Sequence, residues 1–298
     1  MNLHRSVLLK EAIEALSLEP GDIYLDATLG TGGHAEEVFR RLPTVTILGI
    51  DLDETMMEIA RQRLELLGAH PKLVVSNFRH LDKALQTLDS GVPTKILFDL
   101  GWNTVQFEEG ERGFSFQKDE PLVMTFASTA KPEDTTAYDV VNSWQEENIA
   151  DVIYAYGEER LSRQIAKAIV EAREEGPIKT SLQLAEIVKG AVPIWYKFGR
   201  IHPATRTFQA LRIVVNDELQ ALEEGLKKAL EALKVGGKIA VISFHSLEDR
   251  IVKNFFKLKE AEERLEIINK KPITATEEEI AENPRSRSAK MRIIKKTK

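Results

Sequence analysis

The stretch Tyr24-Leu-Asp-Ala-Thr-Leu-Gly-Thr-Gly-Gly-His34 decides the fold of this chain of 298 residues. A short apolar run leads into three glycines and then into Ala35-Glu-Glu-Val-Phe39, an order that predicts a strand, a tight turn and a helix. Because glycine has no Cβ, the turn can adopt positive φ and approach a ligand, while the first N–H groups of the helix stay free to bind it. The stretch therefore predicts a site for a nucleoside-bearing cofactor, which a valine at Gly32 is expected to block.

A second apolar run, Thr46-Ile-Leu-Gly-Ile50, ends at Asp51, which lies 21 residues after Gly30. A carboxylate at this spacing can accept hydrogen bonds from ribose hydroxyls. The pattern Gly30-x-Gly32-x-x-Ala35 also fits a dinucleotide-binding turn, and glycine turns occur without any ligand. With Asp51 in register we favour a Rossmann-like cofactor site, while the residues leave NAD and S-adenosylmethionine as alternatives.

Composition excludes several classes of protein. The chain is 43% hydrophobic and 30% charged, as in soluble globular proteins, and no run approaches the roughly 18 apolar residues of a membrane span. Residues 1–10 lack the apolar core of a signal peptide, and the absence of cysteine excludes disulfides and thiolate metal sites. We therefore expect a cytoplasmic protein with no metal and no membrane partner. Its net charge of −6 restricts any RNA contact to local basic patches.

Alternating strand and helix patterns predict an α/β fold with a parallel sheet. The run Lys95-Ile-Leu-Phe98 closes at Asp99, at the carboxyl end of a strand, where such sheets present ligands. From about Gln106 to Gly199 helical periodicity replaces the strand pattern, which indicates an inserted all-helical domain. The predicted division is a sheet domain over 1–105, the helical domain over 106–204, and the rest of the sheet domain over 205–298.

Local patterns predict several elements after the insertion begins. Thr180 and Gln183 match a capping box, and apolar residues from Leu211 to Leu233 predict one continuous helix back to the sheet. Ser246 and Asp249 match a second capping box. The remaining predicted elements are strands over 238–243, 265–268 and 291–294, with a Glu-rich helix between the last two.

Long motifs along nearly the whole chain make it similar to a known family, the bacterial small-subunit ribosomal RNA cytosine-N4 methyltransferases called RsmH or MraW. The motifs are Leu29-Gly-Thr-Gly-Gly-His34, Gly49-Ile-Asp-Leu-Asp53, Arg112-Gly-Phe-Ser-Phe116, Tyr156-Gly-Glu-Glu-Arg160, His202-Pro-Ala-Thr-Arg-Thr-Phe-Gln-Ala-Leu-Arg212, Val241-Ile-Ser-Phe-His-Ser-Leu-Glu-Asp-Arg250 and Asn283-Pro-Arg-Ser-Arg-Ser-Ala289. The resemblance implies a class I methyltransferase fold, S-adenosylmethionine as donor, and a cytosine in the decoding region of 16S ribosomal RNA, within the small subunit, as substrate.

The resemblance also implies site residues. Its cofactor contacts fall on Gly32, Gly33, His34, Asp51, Phe78, Asp99 and Gln106. Asp51 can hold the ribose, Phe78 can stack on or border the adenine, and the charge of Asp99 suits the sulfonium cation. Taken alone, Phe78 is more often a core residue and His34 a residue of a helix N-terminus.

The target amine is a poor nucleophile, because its lone pair is delocalised into the pyrimidine ring. Positioning and polar acceptors can suffice for transfer, and the candidate acceptors are Asp99 and Asn103. The base must be unpaired to reach the site, and Trp102 is either a stacking partner or a core residue. Candidate RNA contacts are Arg206, Arg212, His245, Ser246, Arg285 and Arg287, with Lys197, Arg200, Lys290 and Arg292 as further phosphate contacts.

Two segments depart from the family pattern. Asp-Leu-Gly-Val-Ser-Ser is here Asp99-Leu-Gly-Trp-Asn-Thr104, and Pro-Leu-Asp-Met-Arg-Met is here Pro121-Leu-Val-Met-Thr-Phe126. The second change replaces the family's aspartate by Val123 and its arginine by Thr125. Loss of both charges together is what we expect for a structural ion pair, so we predict retained methyl transfer. The alternatives are a ribosome-assembly factor that binds without methylating and, from the glycine turn alone, an NAD-dependent oxidoreductase.

Overall fold

The computed structural model describes residues 5–101, 111–131, 133–199 and 201–298. Seven strands of these residues form one sheet. They are β1 (Ile23–Asp26), β2 (Thr46–Asp51), β3 (Lys72–Val75), β4 (Lys95–Asp99), β5 (Lys238–Ser243), β6 (Leu265–Ile267) and β7 (Lys290–Lys296). Their order across the sheet is β3-β2-β1-β4-β5-β7-β6; the first five run parallel, and β7 runs antiparallel to both neighbours.

Helices cover the two faces of this sheet. They are α1 (Leu9–Leu16), α2 (Gly33–Arg41), α3 (Glu54–Glu65), α4 (Leu81–Leu88), α11 (Glu218–Ala232), α12 (Ser246–Ala261) and α13 (Glu277–Glu282). Leu97 of β4 packs in a core with α1, α2 and α3, whereas its neighbours Ile96 and Phe98 pack in a second core with α4, α11 and α12. Successive side chains of a strand point to opposite faces, so a strand that is apolar throughout is buried on both.

The helical unit has a hydrophobic core of its own. Its helices are α5 (Ala137–Ser143), α6 (Glu146–Gly157), α7 (Ser162–Glu175), α8 (Ser181–Ala191), α9 (Ile194–Lys197) and α10 (Thr205–Asn216). Ile149, Ile153, Ile165 and Ile169 are fully buried in it. The predicted capping box of Thr180 and Gln183 begins α8. The predicted Rossmann-like sheet with an all-helical insertion between β4 and β5 is therefore confirmed.

The predicted boundary at residue 204 is wrong. One compact unit combines the described residues up to 101 with Leu219–Lys298, and the other holds those from 111 to Glu218. The structure assigns α10 to the helical unit because Phe208 and Leu211 are buried in the helical core. A periodic apolar pattern shows that a face is buried but does not identify the core that buries it.

The predicted continuous helix over Leu211–Leu233 is also wrong, because it breaks at Asp217. Asp217 has φ 48° and caps the C-terminus of α10, and α11 begins at the next residue. The Asn216 side chain donates to the Met124 carbonyl at 2.8 Å and accepts from the Phe126 N–H at 2.7 Å. These tertiary hydrogen bonds accompany the break, while the apolar spacing runs through it without interruption.

Candidate cofactor and active site

The glycine turn joins β1 to α2 as predicted. Gly30 and Gly32 have φ of 51° and 78°, and the Gly32 N–H donates to the Leu29 carbonyl at 2.8 Å. Gly32 is the N-cap residue of α2, so the first N–H groups of that helix lie at the carboxyl end of β1. This arrangement is the one that binds anionic or polar ligand groups in Rossmann-like folds.

Packing and backbone conformation favour glycine at Gly32. Its φ is positive, and a Cβ there would lie 3.1 Å from the Ala60 Cβ on α3, whereas one at Gly33 would displace the Ser6 hydroxyl. The expectation that a side chain at Gly32 fills the ligand site is therefore corrected, since its Cβ points at α3. These glycines let α2 pack closely against its neighbours.

Asp51 ends β2 beside the turn, and its carboxylate is oriented by backbone donors. Its Oδ2 accepts from the Gly30 N–H at 2.7 Å, and its Oδ1 accepts from the Asp53 N–H at 2.9 Å. Burial raises the pKa of Asp51 to about 6, although these hydrogen bonds oppose the shift. The carboxylate is fixed in place by the N–H groups of Gly30, Asp53 and Leu52, and a carboxylate with about four lone-pair sites can still accept from a ligand hydroxyl.

Asp26 lies at the same edge of the sheet, and the sequence analysis did not name it. It ends β1 in the middle of the stretch quoted first, is 1% exposed, and accepts hydrogen bonds from the Tyr24 hydroxyl at 3.0 Å and the Thr28 N–H at 3.2 Å. Burial, reinforced by the charge of Asp51, raises its pKa to about 7 against these hydrogen bonds. The sequence shows that each of these three strands ends in an aspartate, but only the structure shows that β2, β1 and β4 are neighbours and so bring the aspartates to one edge of the sheet.

Asp99 is the third of these aspartates. Its N–H donates to the Thr28 hydroxyl at 2.6 Å, which fixes the end of β4 beside the turn. Its Oδ2 lies 3.6 Å from His34 Nδ1, and its buried Oδ1 has no hydrogen-bond partner among the described residues. Burial, followed by the charges of Asp26 and Glu248, raises the pKa of Asp99 well above its usual range. A buried oxygen without a partner is costly unless a ligand satisfies it.

His34 is 4% exposed near the start of α2. Its Nε2 lies 3.2 Å from the Val7 carbonyl, which can only accept, so this bond requires the proton on Nε2. The opposite nitrogen then faces Asp99. The structure thus brings His34, Asp51 and Asp99 together around the turn.

Phe78 follows β3 and packs as part of the core. Its ring meets Phe98 edge to face at a centroid distance of 5.6 Å, and a Cβ at Gly225 of α11 would lie 2.7 Å from it. Phe78 nevertheless remains partly exposed. It therefore stays a predicted adenine contact, held in position by its core packing.

The predicted capping box of Ser246 and Asp249 is wrong by one residue. His245 is the N-cap of α12: its Nδ1 accepts from the Glu248 N–H at 3.4 Å, and Glu248 Oε2 accepts from the His245 N–H at 3.3 Å. Asp249 instead forms two hydrogen bonds with Arg292 of β7, at 2.6 and 3.2 Å. Arg292, proposed as a phosphate contact, thus joins α12 to the sheet.

The predicted RNA contacts divide by their surroundings. Arg212 donates to both oxygens of Glu218 at 2.7 and 2.9 Å and lies over the Phe126 ring, so its charge is engaged within the helical unit. Arg206 donates to the Glu158 carbonyl at 3.1 Å. Arg287 and Ser246 are exposed, Arg285 is partly exposed, and the side chain of His245 is 10% exposed. RNA binding by these six residues stays a prediction.

Several predicted site residues lie outside the described residues: Trp102, Asn103, Thr104, Gln106 and Arg200. The second departure from the family pattern is described. Thr125 is 5% exposed in the helical unit, and the Arg112 guanidinium donates to the carbonyls of Phe126 and Ala127 at 2.9 and 2.7 Å.

Among the described helices, none is long and apolar enough to cross a membrane.

Comparison with known proteins gives whole-chain matches. A sequence model of the MraW methylase family matches residues 1–297. The chain is 48% identical to ribosomal RNA small subunit methyltransferase H of Sulfurihydrogenibium sp. (strain YO3AOP1) over 97% of this chain and 98% of the relative. Identity to the protein of the same name from Persephonella marina is 45%, covering 98% and 99%. A solved rRNA methylase from Streptococcus thermophilus aligns at TM-score 0.45 and 12% identity over 97% of this chain and 94% of that one.

Proposed function

Because the chain belongs to the MraW methylase family, it is a methyltransferase, and we propose that it methylates the N4 amine of a cytosine in the decoding region of 16S ribosomal RNA. Family membership confirms the predicted class I methyltransferase fold and S-adenosylmethionine as methyl donor. Relatives at 44–48% identity are named for the ribosomal RNA of the small subunit, which supports this substrate class. A partly or fully assembled small subunit in the cytoplasm is the proposed substrate.

The observation that carries the proposal is the group of aspartates at the carboxyl ends of β2, β1 and β4. Asp51 has a carboxylate that backbone donors fix in place and that can still accept a further hydrogen bond, which fits a ribose hydroxyl. Asp99 has a buried oxygen without a partner among the described residues, which fits a cation or an amine donor. These residues therefore fit S-adenosylmethionine, which when bound supplies an electrophilic methyl group.

The residues of the chain supply position and proton acceptance. The turn at Gly30 and the carboxylate of Asp51 hold the nucleoside portion, and Phe78 borders the adenine. Asp99 accepts a hydrogen bond from the target amine and takes the proton that the amine loses. Its raised pKa makes its carboxylate a better base than an exposed aspartate. No covalent intermediate is needed, because transfer is direct once the amine is aligned.

The deciding experiment incubates the protein with labelled S-adenosylmethionine and small subunits that lack the modification. We expect N4-methylcytidine in digested 16S RNA, detected by mass spectrometry, and much slower methylation of a short naked hairpin. The low rate follows from the net charge of −6, which attracts free RNA weakly. Equal rates on both substrates would contradict the proposed subunit substrate, and no labelled cytosine would contradict the proposed function.

Two sets of variants sharpen this assay. Asp99→Asn keeps the size of the side chain but removes the base, so we expect methyl transfer to fall by about 100-fold or more. Wild-type activity in this variant would exclude Asp99 as the acceptor. Val123→Asp with Thr125→Arg restores the family pattern. Activity only in this double variant, and none in the natural sequence, would favour the assembly-factor alternative.

A further inference from the structure

A short segment of the helical unit exposes large apolar side chains. Ile194, Trp195, Phe198 and Ile201 are 74%, 72%, 84% and 48% exposed, within eight consecutive residues. Other large apolar side chains exposed on the described chain are spread along the sequence one at a time. Scattered apolar residues are normal on a surface, whereas a local concentration marks an interaction site.

Tyr196 holds this segment in place. Its hydroxyl donates to Glu159, whose side chain is fully buried, and its ring packs against the helical core. Positions 194, 195 and 198 share one side of a helical turn, and position 196 lies on the other. Anchoring Tyr196 therefore keeps the rings of Trp195 and Phe198 toward solvent. Because the turn is already ordered in the free protein, a partner that binds these rings loses less conformational entropy.

The charge near these rings indicates the chemical class of the partner. Residues 187–216 contain no aspartate or glutamate, in a chain whose net charge is −6. Lys189 pairs with Glu186 and Arg212 with Glu218, whereas Lys197 has no ion-pair partner among the described residues. Lys197 belongs to the same helical turn as Trp195. Exposed aromatic rings with neighbouring cations are the combination that binds single-stranded nucleic acid, since bases stack on the rings and phosphates meet the cations.

We propose that Trp195 and Phe198 form a stacking surface for unpaired bases of the RNA substrate, with Lys197 contacting the phosphate backbone. The proposal rests on the proposed function and adds a binding surface formed within the helical unit. Stacking accepts any base, so this surface contributes affinity for single-stranded RNA and leaves the choice of cytosine to the active site. Each base stacked on an aromatic ring strengthens binding by about 5- to 150-fold.

The test measures affinity for fluorescently labelled single-stranded RNA and for small subunits lacking the modification. The double variant Trp195→Ala with Phe198→Ala is expected to bind both at least about 10-fold more weakly. Trp195→Phe with Phe198→Tyr keeps two rings and should bind as the wild type does. Leu258→Ala is the matched control, because Leu258 is 57% exposed in the sheet unit. Cofactor affinity and melting temperature should be unchanged in all variants.

Leucine at both positions separates stacking from general apolar contact. Unchanged RNA affinity in the double alanine or the double leucine variant would overturn the proposal. Self-association of the wild type in sedimentation, abolished by the double alanine variant, would overturn it in favour of an interface between two copies. The proposed function fails separately: a wild type that binds RNA through these rings but methylates no cytosine would contradict the methylation proposal alone.

Discussion

The carboxylate of Asp51, the proposed ribose contact, also has a structural role. Alanine at this position would leave the Gly30 and Asp53 N–H groups without an acceptor, whereas asparagine keeps one acceptor oxygen for one of them and is the milder substitution. We expect Asp51→Asn to weaken binding of S-adenosylmethionine by about 1.5–3 kcal/mol, the range for hydrogen bonds to charged groups. Isothermal titration calorimetry measures this, with Asp82→Asn as an exposed control. Equal affinities would remove Asp51 from the cofactor site.

The pH dependence of binding provides a second test of Asp51. Its pKa of about 6 means that it is ionised at pH 7.5 and mostly protonated at pH 5.5. A cofactor that prefers the ionised acceptor should therefore bind about fourfold more weakly at pH 5.5 through this residue alone. Subtracting the profile of Asp51→Asn isolates this contribution from that of Asp99. If the difference in binding free energy between the wild type and Asp51→Asn does not change with pH, Asp51 is not the ionised acceptor of the cofactor.

Asp26 affects stability more directly. Its pKa is raised to about 7 in the folded state, so the folded protein holds a proton that the unfolded chain has lost above pH 4. Stability from this group is present at low pH and is lost as pH rises through 7. We expect the stability of Asp26→Asn relative to wild type to improve by about 2–3 kcal/mol between pH 5 and 8.

Urea denaturation at the two pH values measures this change for Asp26→Asn. Asp82→Asn is the control, because the pKa of Asp82 is lowered and lies below the window. Its stability relative to wild type should stay constant, and a constant value for Asp26→Asn as well would contradict the raised pKa.

At the scale of elements, two helical glycines should respond in opposite ways to alanine. A Cβ at Gly225 of α11 would lie 2.7 Å from the Phe78 ring, whereas one at Gly190 of α8 would meet nothing within 4 Å. We expect Gly190→Ala to stabilise the protein by about 0.5–1 kcal/mol through helix propensity. Gly225→Ala should destabilise it by about 1–3 kcal/mol through overpacking. Thermal denaturation compares them, and stabilisation by both would show that Phe78 can move.

The ion pair between α12 and β7 separates structural arginines from RNA-binding ones. Arg292 is 9% exposed and paired with Asp249, whereas Arg287 is exposed. Arg292→Ala should cost about 1–3 kcal/mol of stability, because it removes two hydrogen bonds from a partly buried carboxylate and leaves it only the more distant Lys290. Arg287→Ala should leave the melting temperature unchanged and weaken binding to the small subunit. A loss of stability in Arg287→Ala, with only weaker subunit binding in Arg292→Ala, would contradict both roles.

Much of the fold could be predicted because strands and capping residues are local signals. The sheet, the glycine turn and the capping box at Thr180 follow from spacing within a few residues. The break at Asp217 could not be predicted this way, since it accompanies hydrogen bonds from Asn216 to a segment about 90 residues away. Asp26 was missed for a different reason: its significance comes from strand order, which places β1 between β2 and β4.

For the whole molecule, the two compact units with separate cores should unfold in two steps. The proposed cofactor contacts among the described residues lie in the sheet unit, so ligand binding should stabilise mainly that unit. Calorimetric scans with S-adenosylhomocysteine at 100 times its dissociation constant should raise one transition, with about 2.7 kcal/mol of added stability. A single transition that moves as one would show that the units unfold cooperatively.

The insertion between β4 and β5 has a consequence for how the protein is made. Translation is vectorial, so β4 leaves the ribosome long before its neighbour β5, and the whole helical unit is synthesised between them. Until β5 arrives, one side of β4 is an unpaired, apolar strand edge of the kind that recruits other chains into aggregates. The nascent chain should therefore depend on chaperones during this interval and be sensitive to the rate at which codons 100–237 are read.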